Sequence, residues 1–291
     1  MYNGYMEVLS DILRSMRVSG SVYFCERLEA PWHMDFDEQE QASFHLIRRG
    51  AGWLISGDTE VRLGPGDFVF VEPGRKHTLR SDALGEISAS ASAHTLLLCG
   101  YCKFHSPRGH PLLQSLPSLI VVRDEELLEH VWLKNTLDQL SREYLSSQPG
   151  SDVVIDKLTE ILIVELIRIN FGRDVDGGFI SALFDPQIKH ALELLHAQPE
   201  FHWTLEILAD QVAVSRAALA RRFKERVGQT MFQYLTNLRM QHASDLLRET
   251  TAPLFDVASQ VGYESEMAFA KAFKRNTGTT PAKFRRNAPA L

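Results

Sequence analysis

Cys99-Gly100-Tyr101-Cys102 has the spacing by which two thiolates clamp a zinc ion or exchange a disulfide. Its setting argues for something else. Thr95 to Phe104 reads as a strand, and residues three apart on a strand point to opposite faces. Cys99 and Cys102 therefore diverge unless a bulge intervenes. A second group of chemistry-bearing residues lies in the last hundred positions. Arg216, Arg221, Lys224, Lys271 and Lys274 are cations at helical spacing, able to meet phosphates or the acceptor edge of guanine.

The elements that must carry those cations repeat themselves. Arg221, Phe223, Lys224, Gly228, Thr230 and Tyr234 recur 50 residues later as Lys271, Phe273, Lys274, Gly278, Thr280 and Phe284. Upstream, Ala209, Gln211 and Val212 answer to Ala258, Gln260 and Val261. A recurring supersecondary unit is the physical reading. Each copy spells a helix, a tight turn and a second helix. In the first, Leu205, Leu208, Ala209 and Val212 form an apolar face, Ser215 caps, and Leu219 and Phe223 point inward. In the second, Leu254, Val257, Ala258 and Val261 pack, Gly262 suits the turn, Ser265 caps, and Phe269, Ala272 and Phe273 point inward. Outward on the second helices stand Arg216, Ala217, Ala220, Arg221 and Lys224, then Glu266, Met267, Ala270, Lys271 and Lys274. Such a helix fits a major groove. A long amphipathic helix, roughly residues 231–247, separates the copies. It can hold the two reading helices about one turn of B-DNA, ~34 Å, apart.

Charge supports this only weakly. The net charge is -6, but residues 180–291 hold 14 Lys and Arg against 11 Asp and Glu, while the remainder holds 17 against 26. Only the C-terminal part can approach phosphates without repulsion. The first 179 residues read differently. Residues 20–105 are short alternating runs such as Val61-Arg62-Leu63 and Phe68-Val69-Phe70-Val71, parted by Gly and Pro turns. They predict a sandwich or barrel. Asp124 to Ser147 is helical, with Leu133, Leu137, Leu140 and Tyr144 on one face, and Ser151 or Asp152 caps the next helix. Residues 153–171 are apolar on nearly every side, which means burial within the subunit or against a second one. Phe171 to Gly178 reads as a linker. No apolar run reaches membrane-spanning length, the N-terminus lacks a secretion-signal pattern, and three cysteines do not make a disulfide scaffold, so a reducing cytoplasm is expected.

Leu205 to Arg286 resembles the tandem helix-turn-helix domain of the AraC/XylS regulators. The residues that carry the resemblance include Leu208-Ala209, Ser215-Arg216, Arg221-Arg222-Phe223, Gly228, Arg239-Met240, Val261-Gly262-Tyr263, Phe273-Lys274, Gly278 and Thr280-Pro281. The resemblance implies base contacts from Ala217, Ala220 and Arg221, then Glu266, Met267, Ala268 and Lys271. Arg216, Lys224 and Lys274 are phosphate contacts or solvated surface. Double-stranded DNA, RNA polymerase and a second copy of the chain are the implied partners, and activation the implied sign. The two alanines depart from the long polar side chains often used there, so thymine methyl contacts replace hydrogen bonds.

Phe44-His45-Leu46, Gly64-Pro65-Gly66-Asp67 and Pro73-Gly74-Arg75-Lys76-His77 resemble the motifs of a cupin barrel, of the class joined to AraC-type regulators. The implied architecture is α+β in two domains. A cupin jelly roll spans 1–110, a helical linker and dimerisation region 111–184, and an all-α tandem helix-turn-helix domain 185–291. His45 and His77 fall at cupin ligand positions, and His33 could join them around a divalent metal. Ser43, Arg48 and Arg49 occupy places where a metal-binding cupin has further ligands. A pocket for an organic effector, or plain packing of the two histidines, remain open. The cupin class also sets Val22–Leu28 beside Thr95–Phe104, which implies Cys25 and Cys99 as a redox pair if their Cα atoms lie within about 7 Å. The alternative is two small buried hydrophobes. From a different class, a cupin metalloenzyme (a dioxygenase or isomerase) needs a complete metal set.

Overall fold

The computed structural model describes residues 4–82, 94–104, 110–172 and 178–287. It divides into two units that do not follow chain order. A β-rich unit takes residues 18–104 and 116–173, and a helical unit takes 1–17, 105–115 and 174–291. The sequence division at 110 and 184 differs from this. Residues 1–17 and the segment before 116 cluster with the C-terminal helices.

In the β-rich unit, β1 (Val18–Glu29), β8 (His94–Phe104), β3 (Ala42–Arg49), β6 (Phe68–Val71) and β9 (Leu119–Val122) form one antiparallel sheet in that order. A second sheet runs β2 (His33–Phe36), β7 (His77–Arg80), β4 (Gly52–Ser56), β5 (Thr59–Leu63). The two sheets pair face to face as a jelly roll, without a continuous hydrogen-bonded closure. Between them lies a core of Ile47, Val69, Val71, Leu97 and Cys99 from the first sheet with Leu54, Leu63 and Leu79 from the second. The alternation that marked these strands in the sequence is this inward and outward pleat.

Helices α3 (Asp124–Glu129), α4 (Val131–Ser146) and α5 (Ser151–Gly172) complete the unit. The single helix expected over 124–147 breaks at His130. α5 lies on β1, and glycine makes that approach possible. A Cβ on Gly20 would sit 2.1 Å from the Thr159 methyl, and the Gly20 N–H donates to Asp156. α5 buries Ile155, Leu162, Ile163, Leu166 and Ile167, yet leaves Val153 and Ile161 exposed. The apolar character on every side is therefore only partly used within this chain. Of the linker expected at 171–178, residues 173–177 lie outside the described residues.

The helical unit opens with α1 (Gly4–Met16), whose Val8, Ile12 and Met16 are buried at four-residue spacing. α2 (Pro111–Gln114), α6 (Gly178–Phe184) and α7 (Pro186–Ala197) precede the repeat. The first copy is α8 (Leu205–Gln211) and α9 (Arg216–Val227), the spacer is α10 (Met231–Glu249), and the second copy is α11 (Leu254–Gln260) and α12 (Glu266–Thr277). α13 (Pro281–Asn287) closes the chain of described residues. α1 packs on α7 and α10. Among the described residues, no helix is long and apolar enough to cross a membrane.

Candidate DNA-reading face and sensor site

Local chemistry builds the two copies alike. The Ser215 hydroxyl accepts from the Ala218 N–H and the Ser265 hydroxyl from Ala268, each satisfying an orphan donor at the start of a second helix. Both helices end on a left-handed glycine, Gly228 at φ 80° and Gly278 at φ 79°. Leu219, Phe223 and Val227 are buried in the first, and Phe269, Ala272 and Phe273 in the second. With those faces spent on the core, the opposite faces reach solvent. Arg216, Ala217, Ala220, Arg221 and Lys224 are all exposed, as are Glu266, Met267, Ala268, Lys271 and Lys274. Met267 is 81% exposed, a flexible apolar side chain turned to water. α10 spans 19 residues, or about 28 Å at the standard helical rise. That length suits two grooves on one face of a duplex.

The two outward arginines of the first copy are held. Arg216 pairs with Glu206 of α8, and Arg221 Nη1 donates to both Glu225 carboxylate oxygens at 3.2 and 3.3 Å. Arg222, turned the other way, donates to both Asp185 oxygens at 2.7 and 2.6 Å and fixes α9 to the cap of α7. Lys271 and Lys274 have no ion-pair partner among the described residues.

A buried polar chain underlies the first copy, and the sequence reading missed it. His110 Nδ1 accepts from the Leu112 N–H, so its proton sits on Nε2, which faces the Tyr234 hydroxyl at 3.5 Å. That hydroxyl lies 2.7 Å from His196 Nε2 and donates to it. Phe179 stacks on the Tyr234 ring. Burial and neighbouring His196 push His110 down to about 3, and burial and His242 push His196 down to about 4, so both rings are neutral. No motif marks this chain in the sequence. The only available signal was Val8, Ile12 and Met16, which announce a helix ahead of the first strand.

In the β-rich unit, His45 and Cys99 are register partners on β3 and β8, and both point between the sheets. The hydrogen bonds have one possible direction. The Arg75 carbonyl can only accept, so His77 Nδ1–H donates to it at 3.2 Å and leaves Nε2 as an acceptor. His45 Nε2–H then donates to His77 Nε2 at 2.8 Å, and His45 Nδ1 accepts the Cys99 thiol proton across 3.0 Å. Phe36 covers both rings, stacked on His77 at 4.6 Å. Burial, with His77 adding to it, holds His45 well below the usual imidazole range, and burial lowers His77. Burial and nearby Cys25 raise the Cys99 thiol. All three groups are neutral at physiological pH.

This geometry changes two expectations. His33 pairs with Arg80 on the opposite, exposed face of the second sheet, away from His77. Cys99 lies on the far side of His45 from the two facing nitrogens. Among the described residues no three metal-ligating side chains converge, so two imidazoles are all that a divalent ion would find. Cys25 and Cys99 do lie on neighbouring strands, but Cys25 is opposite Leu98, and Cys99 opposite Phe24. Partners across an antiparallel pair share a face, so the two thiols point to opposite sides of the sheet. A direct disulfide requires β1 to slip.

A cupin family model matches residues 7–172, more than half of the chain, and a helix-turn-helix domain model matches residues 208–287. The HTH-type transcriptional regulator AlkR of Acinetobacter baylyi is 30% identical, covering 96% of this chain and 99% of its own. A putative AraC-like transcription regulator of Streptomyces antibioticus is 32% identical, covering 97% and 99%. The RCS-specific HTH-type transcriptional activator RclR of Escherichia coli is 28% identical, covering 96% and 97%. The chain belongs to the AraC-type transcriptional regulators, in which a cupin domain accompanies a tandem helix-turn-helix domain that binds double-stranded DNA.

Proposed function

We propose that this regulator is a sequence-specific activator working as a homodimer in the cytoplasm. In this reading it places α9 and α12 in successive major-groove segments and presents RNA polymerase with a bound surface. The observation that carries it is the joint exposure of Arg216, Ala217, Ala220, Arg221 and Lys224 with Glu266, Met267, Ala268, Lys271 and Lys274 on two capped helices linked by one continuous strut. Arg221 reads a guanine, and Ala217, Ala220 and Met267 meet thymine methyls. Dimerisation falls to α3–α5, where Leu128, Trp132, Val153 and Ile161 are exposed among the described residues. The test is occupancy of the tagged protein across its native genome. Discrete peaks sharing a two-part motif are expected. Their absence under every growth condition would sink the reading.

For the signal, the observations favour an uncharged or weakly polar organic effector acting on the Cys99–His45–His77 chain, since that chain is complete, neutral and enclosed by Phe36. His77→Ala is expected to abolish the response while leaving operator binding measurable. A second reading is oxidation. Two thiols would give two electrons and two protons to an oxidant, His45 taking the Cys99 proton, and a slip of β1 would bring Cys25 to Cys99. RclR, by its name an RCS-specific activator, is the relative that favours it. Cys25→Ser and Cys99→Ser, each tested alone, end this reading if both keep a normal oxidant response.

A further inference from the structure

Each helix-turn-helix copy packs mainly within itself and on α10. The angle between the two reading helices is therefore set by what fastens each copy to that strut. Apolar packing holds the copies there, and two polar side chains near the middle of the strut each reach both of them.

Arg239 is the first. Its Nε donates to the Pro199 carbonyl at 2.6 Å, and its Nη2 donates to the carbonyls of Phe201 at 2.8 Å and Glu200 at 3.4 Å. Consecutive carbonyls thus close around one guanidinium, whose charge strengthens each bond. The segment they belong to is tied down. Trp203 is buried, and its indole N–H donates back to the Gln198 carbonyl at 2.9 Å. The segment runs straight into α8, which Thr204 caps. The same guanidinium also meets the second copy: its carbon lies 5.7 Å from the centre of the Tyr263 ring. Tyr263 stands in the turn between α11 and α12 and meets Phe269 of α12 edge-on. Gly262 permits that approach. A Cβ there would lie 2.4 Å from the Glu200 carbonyl oxygen and 2.8 Å from Arg239 Nη2.

Asn237 is the second. Its Nδ2 donates at 3.1 Å to Gln229 Oε1, in the turn that ends the first copy. Its Oδ1 accepts at 2.7 Å from Asn276 Nδ2, in the last turn of α12. Residues two apart on a helix point about 200° apart, so the two braces grip α10 on nearly opposite sides. One brace leaves a hinge about the strut axis, and two opposed braces resist it.

We propose that Arg239 and Asn237 are positioning residues for DNA recognition, which together lock the setting of α9 relative to α12 and so fix the spacing at which two halves of a DNA site are accepted. Neither has to touch DNA. The proposal rests on the reading that α9 and α12 enter successive groove segments. One inserted base pair turns the second half of a site by about 35° and moves it by about 3.4 Å, which a rigid reader cannot follow.

The full-length wild-type protein first selects its two-part site from random duplexes. Affinity is then measured with the two halves at the selected spacing and one base pair closer or farther. Wild type should bind about tenfold more weakly at either altered spacing, a loss comparable to a mismatched base pair. Arg239→Ala and Asn237→Ala should each weaken binding at the selected spacing and cut that penalty to about threefold or less, because loosened helices adapt where preorganised ones cannot. Arg239→Lys keeps the charge and loses the fork, so it should behave as Arg239→Ala does. Asn237 is uncharged and half-buried, so its variant folds even where removal of the guanidinium unfolds the junction. A merely structural role would lower affinity at every spacing by the same factor. That result, or the wild-type penalty kept in every folded variant, would overturn the proposal. Failure of the wild type to select any two-part site would sink the DNA reading itself, and this proposal with it.

Discussion

The two helix-turn-helix copies share a scaffold and differ in what surrounds it. Their caps, their terminal glycines and the buried Phe223 and Phe273 recur at the 50-residue shift, with Leu219 of the first copy answering to Phe269 of the second. Where the first copy has Tyr234 the second has Phe284, packed edge-on against Phe273. Where the first has Arg221 and Glu225, an ion pair, the second has Lys271 and Arg275, two like charges one turn apart. In the turn, Ala213 holds φ 55° where the second copy has Gly262 at φ 78°. The scaffold positions are those a reading helix cannot do without. Among the differing positions, an ion-paired Arg221 in the first copy stands against Lys271 in the second, which has no ion-pair partner among the described residues.

If the scaffold is shared, breaking it should cost the same in either copy. Phe223→Ala and Phe273→Ala each remove a fully buried ring. A loss of about 3–5 kcal/mol is expected in both, by denaturant unfolding. A difference of more than about 2 kcal/mol between them, larger than core context usually produces, would show that one copy folds on the other rather than beside it.

Tyr234→Phe makes the first copy chemically like the second. It removes the hydroxyl between His110 and His196 and leaves two buried ring nitrogens unpaired. A loss of about 1–3 kcal/mol is expected at neutral pH, read by hydrogen exchange in α10, whereas Phe284→Tyr should gain nothing. Wild-type α10 should also show an acid limb. Two imidazoles pushed below an unfolded value near 6.5 contribute full stability above it and lose that contribution as pH falls toward their folded values of about 3 and 4. A flat profile in α10 between pH 6.5 and 4 would mean that the rings are not held neutral.

On DNA, Arg221→Ala is expected to cost about 1–3 kcal/mol on the specific site and to relax preference at one base pair. Lys271→Ala should cost less and flatten the salt dependence instead, because a point charge reports phosphates more than bases. Equal losses from Arg221→Ala on specific and random duplexes would reassign that residue to the backbone.

Most of the scaffold was legible in the sequence, because caps, glycines and apolar periodicity are local. Ser215, Gly228, Ser265 and Gly278 occupy the roles their types dictate, and nine of the ten outward residues are exposed, Ala270 being half-buried. The candidate site in the β-rich unit was legible in part. His45 and His77 meet as their positions implied, yet Cys99 joined them through strand register, and register also turned Cys25 and His33 away. One residue of offset reverses a side chain's face, and no local pattern fixes that offset between strands 70 residues apart. His110 was illegible for a related reason. Its partners Tyr234 and His196 lie in a unit that the chain enters, leaves and re-enters, so no spacing records the contact.

The smallest expected effect sharpens the comparison most. Glu225 sits one turn beyond Arg221 and holds its guanidinium by two oxygens, as a buttress that restricts where the fork can point. A carboxylate on that face also repels phosphate. Glu225→Gln therefore has two opposed consequences. Affinity for random DNA should rise by a few tenths of a kcal/mol as repulsion is lost, a size typical of exposed pairs. Discrimination at the base pair proposed for Arg221 should fall, since a neutral amide holds the guanidinium less firmly. The second copy already lacks the buttress, so Arg275→Glu should move it the other way, lowering random-site affinity and restraining Lys271. Parallel competition assays on matched and single-mismatch duplexes separate the two terms. If Glu225→Gln raises specific and random binding by the same factor, the carboxylate is a repulsive charge alone, and the two copies differ in net charge rather than in how their reading side chains are held.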